Sequence, residues 1–389
     1  GANLLRYRVE DFIFGGSHYA RLARMSAAGI PVLTIVHGSA TAGGAYMPGM
    51  SDYVVMVRDR ARAFLAGPPL LKAATGEIAT EEELGGALMH ASVSGLAEYL
   101  AEDDADAIRA LREHLRRLAW HRHESDLPAA TEPRFAADEL LSIMPVDGRK
   151  PVDMREIIAR LCDDSDFMEF QSTYGTATVC VHTSIGGFAV GILSNNGPLD
   201  PAGSSKATHF IQQCCQSGLP LIYLQNTTGY IVGKESERAG MIKHGSKMIQ
   251  AVANATVPQV TIQCGASYGA GNYGMCGRGF APRSLFSWPN ARTAVMGAEQ
   301  AAGTMAIVME ASARDRGLEP DQAQIDGMRA KIVETFDRQT SSFYTSGRLL
   351  DDGIIDPRDT RGVLTQVLQL FRRADGLQLR PLTFGVARP

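Results

Sequence analysis

Two clusters of small residues in this chain are typical of turns that stabilise a negatively charged oxygen. One lies between Cys264 and Arg278, where five glycines in fifteen residues are too many for the interior of a helix or a strand. It follows an apolar run, 257–263, that predicts a buried strand. A strand that ends in such a turn leaves backbone N–H groups unpaired, and two such groups form an oxyanion hole. Taken alone, such a cluster is more often a tight turn without a ligand.

The same pattern occurs a second time near the start of the chain. In the first copy, a glycine pair begins at Gly43, 12 residues after Pro31. In the second copy, Ala270 lies 12 residues after Pro258. A helix-like segment precedes each copy, and an apolar strand that ends at a glycine follows it. We therefore predict a tandem of two related units, with one oxygen to stabilise in each. The candidate catalytic residues of the two copies are Gly43, Gly44, Ala270 and Gly271.

Neither glycine turn contains side chains that act as a nucleophile or a base. Ser267 and Cys276 lie near the second turn, but no histidine is placed by the sequence to activate them. No carboxylate lies in either turn, and Glu237 is interpreted as a solvated charge. An enzyme built on these turns would supply backbone amides and positioning, and its substrates would bring their own base.

The composition restricts the class of protein and its partners. The 389 residues are 45% hydrophobic and 21% charged, which is ordinary for globular domains with two cores. A net charge of -4 gives no reason to expect nucleic acid or an anionic membrane surface as a partner. No run of eighteen apolar residues occurs, so we expect no transmembrane helix. The six cysteines lack C-x-x-C spacing, which disfavours a zinc site, and we expect no metal.

Strand, glycine-rich turn and helix alternate along the chain, which predicts α/β architecture. We divide the chain into a first unit, 1–120, a proline-containing linker, 121–150, and a second unit, 151–389. The second unit has about eighty residues before its segment Asn226–Tyr230, and the first unit has no counterpart of them. We therefore expect the first unit to lack its N-terminal part here.

Several local predictions accompany this division. Residues 67–77 are predicted to form a loop and a short helix. Lys72 and Thr75 could bind a phosphate at the start of this helix; alternatively, Lys72 is a solvated lysine and Thr75 a helix cap. Residues 298–338 are predicted to be helical, and Ser204 to cap another helix. A helix over 102–120 is expected to place four apolar residues on one side: Ile108, Leu111, Leu115 and Leu118.

The motifs resemble those of the carboxyltransferase (β) subunits of biotin-dependent acyl-CoA carboxylases. The resemblance runs from about residue 20 to the end and rests on Ser-Ala-Thr-Ala-Gly-Gly-Ala-Tyr (39–46), Gly-Pro-Pro-Leu-Leu-Lys-Ala-Ala-Thr-Gly-Glu (67–77), Asn-Asn-Gly (195–197), Gln-Asn-Thr-Thr-Gly-Tyr (225–230), Gly-Ala-Gly-Asn-Tyr-Gly-Met-Cys-Gly-Arg (269–278) and Trp-Pro-Asn-Ala-Arg (288–292). The Gly-Asn-Tyr-Gly-Met-Cys form is similar to the methylcrotonyl-CoA and geranyl-CoA branch. Two further segments, 196–203 and 239–245, are more similar to geranyl-CoA carboxylase. The resemblance implies two crotonase-like (ClpP/crotonase) β-β-α superhelical domains.

The resemblance also implies a mechanism and roles for individual residues. The first domain would bind acyl-CoA, with the amides of Gly43 and Gly44 on the thioester oxygen. The second domain of a neighbouring subunit would bind carboxybiotin, with the amides of Ala270 and Gly271 on the ureido oxygen; release of CO2 would leave biotin to take the substrate proton. The remaining implied binding residues are Lys72, Thr75 and Gly76 for CoA, Gly229 and Tyr230 for biotin, and Tyr273 for the acyl pocket.

The resemblance implies partners as well. The chain carries no Ala-Met-Lys-Met biotinylation site and no ATP-grasp loop, so a separate α subunit would carry biotin and use ATP, bicarbonate and Mg2+. The expected assembly is a β hexamer within an α6β6 complex, in the bacterial cytoplasm or, alternatively, the mitochondrial matrix. Geranyl-CoA is the favoured substrate, with 3-methylcrotonyl-CoA, from leucine degradation, as the alternative. A biotin-dependent decarboxylase subunit and a non-catalytic assembly subunit stay open, whereas a simple enoyl-CoA hydratase is disfavoured.

Overall fold

The computed structural model describes residues 17–118, 129–145 and 150–375. The strands are β1 (Leu33–Val36), β2 (Ser39–Thr41), β3 (Tyr53–Val57), β4 (Arg62–Phe64), β5 (Tyr99–Ala101), β6 (Phe167–Glu169), β7 (Thr178–Ile185), β8 (Phe188–Asn195), β9 (Leu221–Thr227), β10 (Gln259–Tyr268), β11 (Ser284–Ser287) and β12 (Arg292–Ala294).

Helices cover the sheets and connect their strands. They are α1 (Ser17–Ala27), α2 (Gly43–Gly49), α3 (Pro68–Thr75), α4 (Glu81–Gly85), α5 (Ala87–Met89), α6 (Asp104–Arg117), α7 (Leu140–Ile143), α8 (Met154–Ala159), α9 (Pro201–Ser217), α10 (Lys234–Arg238), α11 (Met241–Ala253), α12 (Gly271–Gly274), α13 (Ala298–Asp315), α14 (Gln322–Thr340), α15 (Ser342–Ser346) and α16 (Thr360–Asp375). Leu140 of α7 lies in the segment between the two units and packs into the core of the second unit.

Each unit is built on parallel strands. The first unit has a three-stranded sheet in the order β1-β3-β5 and a two-stranded sheet, β2-β4. The second unit has a seven-stranded sheet in the order β11-β10-β9-β8-β7-β6, with β12 pairing on the end of β10. Among the described strands, only the pairs β6–β7 and β7–β8 are antiparallel. All five residues of β3 are buried, as expected for a central parallel strand covered on both faces.

The strand pairing shows the tandem repeat directly. Thr41 of β2 pairs with Phe64 of β4, and Tyr268 of β10 pairs with Ala294 of β12. In each unit the next residue turns into the left-handed region, at φ 54° for Ala42 and 55° for the second unit's glycine. The N–H of Ala42 donates to the carbonyl of Phe64 at 3.0 Å, and the equivalent bond in the second unit is 2.9 Å long. The predicted tandem of α/β units is confirmed.

Helix α6 buries only part of the predicted apolar side, together with small residues that the prediction left out. Ile108 and Leu115 are 53% and 43% exposed, whereas Ala107, Ala110 and His114 are buried. The alanines allow the helix to approach the sheet closely, and the ring of His114 stacks on Tyr53 with centroids 3.7 Å apart. Of the four predicted apolar residues, Leu118 is buried and Leu111 packs against the core, whereas Ile108 and Leu115 are exposed. The prediction is therefore right for two of them and missed the small residues that complete the contact.

Three boundaries also differ from the prediction. Helix α9 is capped by Asp200, whose side chain accepts from the N–H of Gly203, and not by Ser204. The region 298–338 divides into α13 and α14, with Gly317 in the left-handed region after α13. Strand β10 continues through Gly265, where a Cβ would lie 2.4 Å from the Asn226 side chain. That glycine permits a close approach inside a strand and does not end it.

A buried glutamate joins the two units. Glu98, which precedes β5, accepts from the N–H of Val54 at 2.5 Å and from Nε2 of Gln171 in the second unit at 2.9 Å. Burial raises the pKa of Glu98 to about 8, although both hydrogen bonds act in the opposite direction. Burial outweighs the two hydrogen bonds, and the neutral, protonated form of Glu98 is therefore favoured near neutral pH.

We expect Glu98→Gln to flatten the pH dependence of stability. Because the pKa of Glu98 is raised from 4.5 to about 8, the folded chain holds a proton that the unfolded chain releases. This contribution to stability is present below pH 4.5 and is lost as the pH rises through about 8, on the order of a few kcal/mol. The unfolding midpoint of the parent should fall more steeply between pH 5 and 8.5 than that of the variant. Exposed Glu102→Gln is the control, and equal slopes for parent and Glu98→Gln would contradict the prediction.

Candidate active site

Both glycine pairs lie where a strand ends and a short helix begins. Gly43 is the first residue of α2, and Ala270 is the residue before α12, which begins at Gly271. Among the described residues, no acceptor pairs with the backbone N–H of Gly43, Gly44, Ala270 or Gly271. Each unit therefore presents a turn with two adjacent free amides, which is the geometry that an oxyanion hole requires.

The first turn is open on the side of its own chain. A Cβ at Gly44 would meet no atom within 4 Å, and one at Gly43 would meet only the Tyr19 side chain, with the hydroxyl at 2.7 Å. Tyr46 and Met47, in the helix that follows, are 53% and 45% exposed. An apolar ligand or another protein surface can therefore approach this turn without rearrangement of the backbone.

The second turn is closed on one side by the loop after β9. A Cβ at Gly271 would lie 2.8 Å from Cα of Gly229 and 2.9 Å from the Thr227 side chain. Gly229 itself has φ 114°, a conformation that favours glycine. The Tyr230 hydroxyl reaches the carbonyl of Gly245 at 3.4 Å. The structure thus places the two biotin-side candidates of the sequence against the second turn.

A cavity of about 710 Å³ adjoins the second turn. It opens at the carboxyl ends of β9 and β10, the usual place for a ligand in a parallel sheet. Its polar wall includes Asn226, Thr228, Tyr268, Arg292 and Glu299. Sequence reasoning missed Glu299, which follows the second unit's post-strand glycine by two residues, because a lone exposed carboxylate gives no signal of its own.

Comparison with known proteins gives the family. Residues 1–378 match the family model described as the carboxyl transferase domain. The chain belongs to the carboxyl transferase family. This confirms the predicted resemblance, and it makes the chain an enzyme of the carboxyltransferase class.

Three individual proteins illustrate the similarity. A probable biotin-dependent acyl-coenzyme A carboxylase beta2 subunit of Mycobacterium tuberculosis is 50% identical over 97% of this chain and 72% of its own length. The biotin-dependent 3-methylcrotonyl-coenzyme A carboxylase beta1 subunit of the same organism is 44% identical over 98% of this chain and 72% of its own. The crystal structure of the beta subunit of P. aeruginosa geranyl-CoA carboxylase is 51% identical, with TM-score 0.63, over 100% of this chain and 72% of that one.

The CoA candidates of this carboxyltransferase lie at the end of a helix. Helix α3 begins at Pro68, so Lys72 and Thr75 are in its second half, and the helix-start interpretation is wrong for them. The Thr75 hydroxyl donates to the carbonyl of Leu71 at 3.0 Å, and Gly76 is the left-handed C-cap, with φ 78°. Lys72 is exposed. Its contact with CoA stays a prediction, as one mobile cation and not as part of a helix N-terminus.

The acyl-pocket candidate Tyr273 lies in α12, beside the second turn and not the first. Its side chain is 51% exposed, and its ring lies 5.9 Å from that of Phe280. Its role at the acyl chain stays a prediction. In the described ranges, no group of three His, Cys, Asp or Glu residues could hold a metal ion, and no helix is long and apolar enough to cross a membrane.

Proposed function

We propose that this chain is the carboxyltransferase subunit of a biotin-dependent acyl-CoA carboxylase. It moves a carboxyl group from carboxybiotin to an unsaturated, branched acyl-CoA, with geranyl-CoA as the favoured substrate. The observation that carries the proposal is the pair of related turns, each with two free backbone amides. Two turns match a reaction in which two carbonyl oxygens, one on each substrate, gain and lose charge.

The amides of the first turn hold the thioester oxygen of the acyl-CoA. Gly43 and Gly44 supply donors that are already oriented and unpaired, so no reorganisation accompanies the formation of the enolate. Loss of one such donor typically lowers kcat by about 10² to 10³. The exposed Lys72, with Thr75 and Gly76 beside it, is proposed to contact the CoA phosphates.

The second turn fits the ureido group of biotin. Ala270 and Gly271 present free amides, and Gly229 keeps side-chain atoms out of the space between loop and turn. The adjoining cavity of about 710 Å³, lined by Asn226 of β9 and Thr228 of the same loop, offers room for the rest of the ring system. Biotin, when bound, supplies the carboxyl group and the base that neither turn contains. The chain supplies orientation, the exclusion of water and the two donors.

The complete active site is proposed to form between two copies of this chain. Apolar side chains flank both turns in exposed positions: Leu65 is 58% exposed beside the first turn, and Val295 and Val232 are 66% and 80% exposed beside the second. Exposed apolar groups around both turns indicate surfaces that are covered in an assembly. We propose the β hexamer of an α6β6 complex, in the cytoplasm of a bacterium. The α subunit carries biotin and uses ATP, bicarbonate and Mg2+.

Geranyl-CoA is favoured over 3-methylcrotonyl-CoA on two grounds. The geranyl-CoA carboxylase structure is 51% identical to this chain, against 44% for the 3-methylcrotonyl-coenzyme A carboxylase subunit. Gly49, at the end of α2, has open space in place of a side chain, which suits a long acyl chain. Tyr273 of the neighbouring subunit is proposed to form the opposite wall.

The test is carboxylation of both acyl-CoAs by the chain in complex with its biotinylated α partner. We expect kcat/KM for geranyl-CoA to exceed that for 3-methylcrotonyl-CoA by at least about tenfold, because the longer chain buries more apolar surface. The opposite preference would transfer the assignment to 3-methylcrotonyl-CoA. Activity on neither substrate, with a partner that carboxylates its own biotin, would overturn the proposal in favour of a non-catalytic assembly subunit.

A further inference from the structure

We propose that Gln225, Ser267 and Asn272 are positioning residues that hold the second turn in place for its oxygen. The inference rests on the proposed function, because it assumes that the amides of Ala270 and Gly271 bind the ureido oxygen. The three side chains form one hydrogen-bonded network directly beneath these amides.

The network connects the two central strands of the second unit to both ends of α12. Nδ2 of Asn272, in the first turn of α12, donates to Oγ of Ser267 on β10 at 2.8 Å. That hydroxyl donates to Oε1 of Gln225 on β9 at 2.6 Å. Nε2 of Gln225 then donates to the carbonyl of Met275, the residue after α12, at 2.6 Å. The turn is therefore tied to the sheet on both sides of Gly271.

Every hydrogen bond in the network has a defined direction. The amide of Asn272 donates, the hydroxyl of Ser267 accepts once and donates once, and the amide of Gln225 accepts and donates at opposite ends. Gln225 and Ser267 are both fully buried, so loss of one partner leaves an unpaired polar group that water does not replace. Networks of this kind are rigid for that reason.

Within the part of the chain that the structure describes, the first turn has no equivalent network. The strand register aligns Ser267, which pairs with Thr293, with Ala40, which pairs with Ala63. Asn272 follows Ala270 by two residues, and its counterpart two residues after Gly43 is Ala45. Neither alanine side chain can donate or accept a hydrogen bond. Ser267 and Asn272 therefore serve a requirement of the second turn, and not of the fold that both units share.

A tight backbone contact adds to this restraint. A Cβ at Gly277 would lie 1.9 Å from Oδ1 of Asn272, so the chain after α12 returns directly onto this side chain. The N–H of Gly277 donates to the carbonyl of Asn272 at 2.8 Å. Donors of an oxyanion hole act at 2.7 to 3.1 Å from the oxygen, and a shift of about 1 Å costs about 10²-fold in rate. Fixing Asn272 thus fixes the two amides immediately before it.

The test replaces Asn272, which is only half-buried, and measures the kinetic constants for acyl-CoA and for biotin separately. In the complex with the biotinylated α partner, we expect Asn272→Ala to lower kcat by about 10- to 100-fold, with KM for the acyl-CoA unchanged within about twofold. The reverse reaction, in which free biotin accepts the carboxyl group from the carboxylated acyl-CoA, gives KM for biotin. We expect this KM to rise at least about fivefold. Ser267→Cys, which keeps the side-chain size with a weaker donor, should lie between parent and Asn272→Ala.

Thr183→Val is the matched control. Thr183 is buried on β7, and its hydroxyl donates to the carbonyl of Asp166 at 2.6 Å, away from the glycine turns. We expect a lowered unfolding midpoint and parental kinetics. Equal kinetics for Asn272→Ala and Thr183→Val, or a rise in KM for acyl-CoA that matches the rise for biotin, would overturn the positioning role. A parent complex inactive on every acyl-CoA would instead overturn the proposed function.

Discussion

Gly44→Val is expected to abolish carboxylation of acyl-CoA while the fold stays intact. A Cβ at Gly44 meets no atom of the chain within 4 Å, and the residue does not have a positive φ, so valine fits without strain. The added methyl groups occupy the space in front of the free amides of the first turn, where the thioester oxygen is proposed to bind. We expect kcat/KM to fall by at least about 10³-fold, because both donors are blocked together. Steady-state carboxylation by the α-partnered complex measures it.

The control for this substitution is Gly362→Val, on the exposed face of α16. That glycine also has open space around its Cβ position, so the same side chain is added far from either turn. Parental activity is expected for Gly362→Val, and unfolding midpoints within about 2 °C of the parent are expected for both variants. If Gly44→Val retained parental activity, the first turn would not contact substrate, and the chain would be better explained as an assembly subunit.

The tandem repeat could be predicted from the sequence because spacing in a repeated unit records backbone geometry. The 12 residues from Pro31 to Gly43 span β1, β2 and the turn, and the same number from Pro258 spans the continuous strand β10 and its turn. Both turns enter the left-handed region at the same point, once with an alanine, Ala42, and once with glycine. Composition gives no sign of a positive φ at Ala42, and only the structure shows it.

What could not be predicted depends on residues that are distant in sequence. The buried face of α6 is decided by what lies opposite it, so the alanines around His114 gave no signal. The cavity beside the second turn joins Asn226, Arg292 and Glu299, which lie up to seventy-three residues apart. Ser267 appeared in the sequence as a hydroxyl without a base, and its function in the structure is to connect Gln225 with the turn. Local pattern identifies the turns, and tertiary contacts decide what supports them.

Gly271→Ala is expected to damage the second turn by a different physical route. Here the added Cβ lies 2.8 Å from Cα of Gly229, a distance that side-chain carbons do not show in proteins, and 3.2 Å from its nitrogen, which is tighter than most such contacts. Because the neighbouring atoms are backbone, the turn and the loop after β9 must separate, and the amides of Ala270 and Gly271 move with them. We expect kcat to fall by about 10²-fold or more, with KM for acyl-CoA near the parental value because the first turn is untouched.

Gly279→Ala tests whether that loss comes from the contact with Gly229. It lies eight residues further along, and a Cβ there meets no atom within 4 Å, so parental kinetics are expected. Gly44→Val and Gly271→Ala should then differ in stability: the first adds atoms to open space, whereas the second forces two backbone segments apart and should lower the unfolding midpoint by several degrees. Parental kcat for Gly271→Ala, despite a lowered midpoint, would contradict a catalytic role for the second turn. A lowered kcat for carboxyl transfer from biotin, with KM for acyl-CoA unchanged, would show that the second turn acts on biotin and the first turn on acyl-CoA.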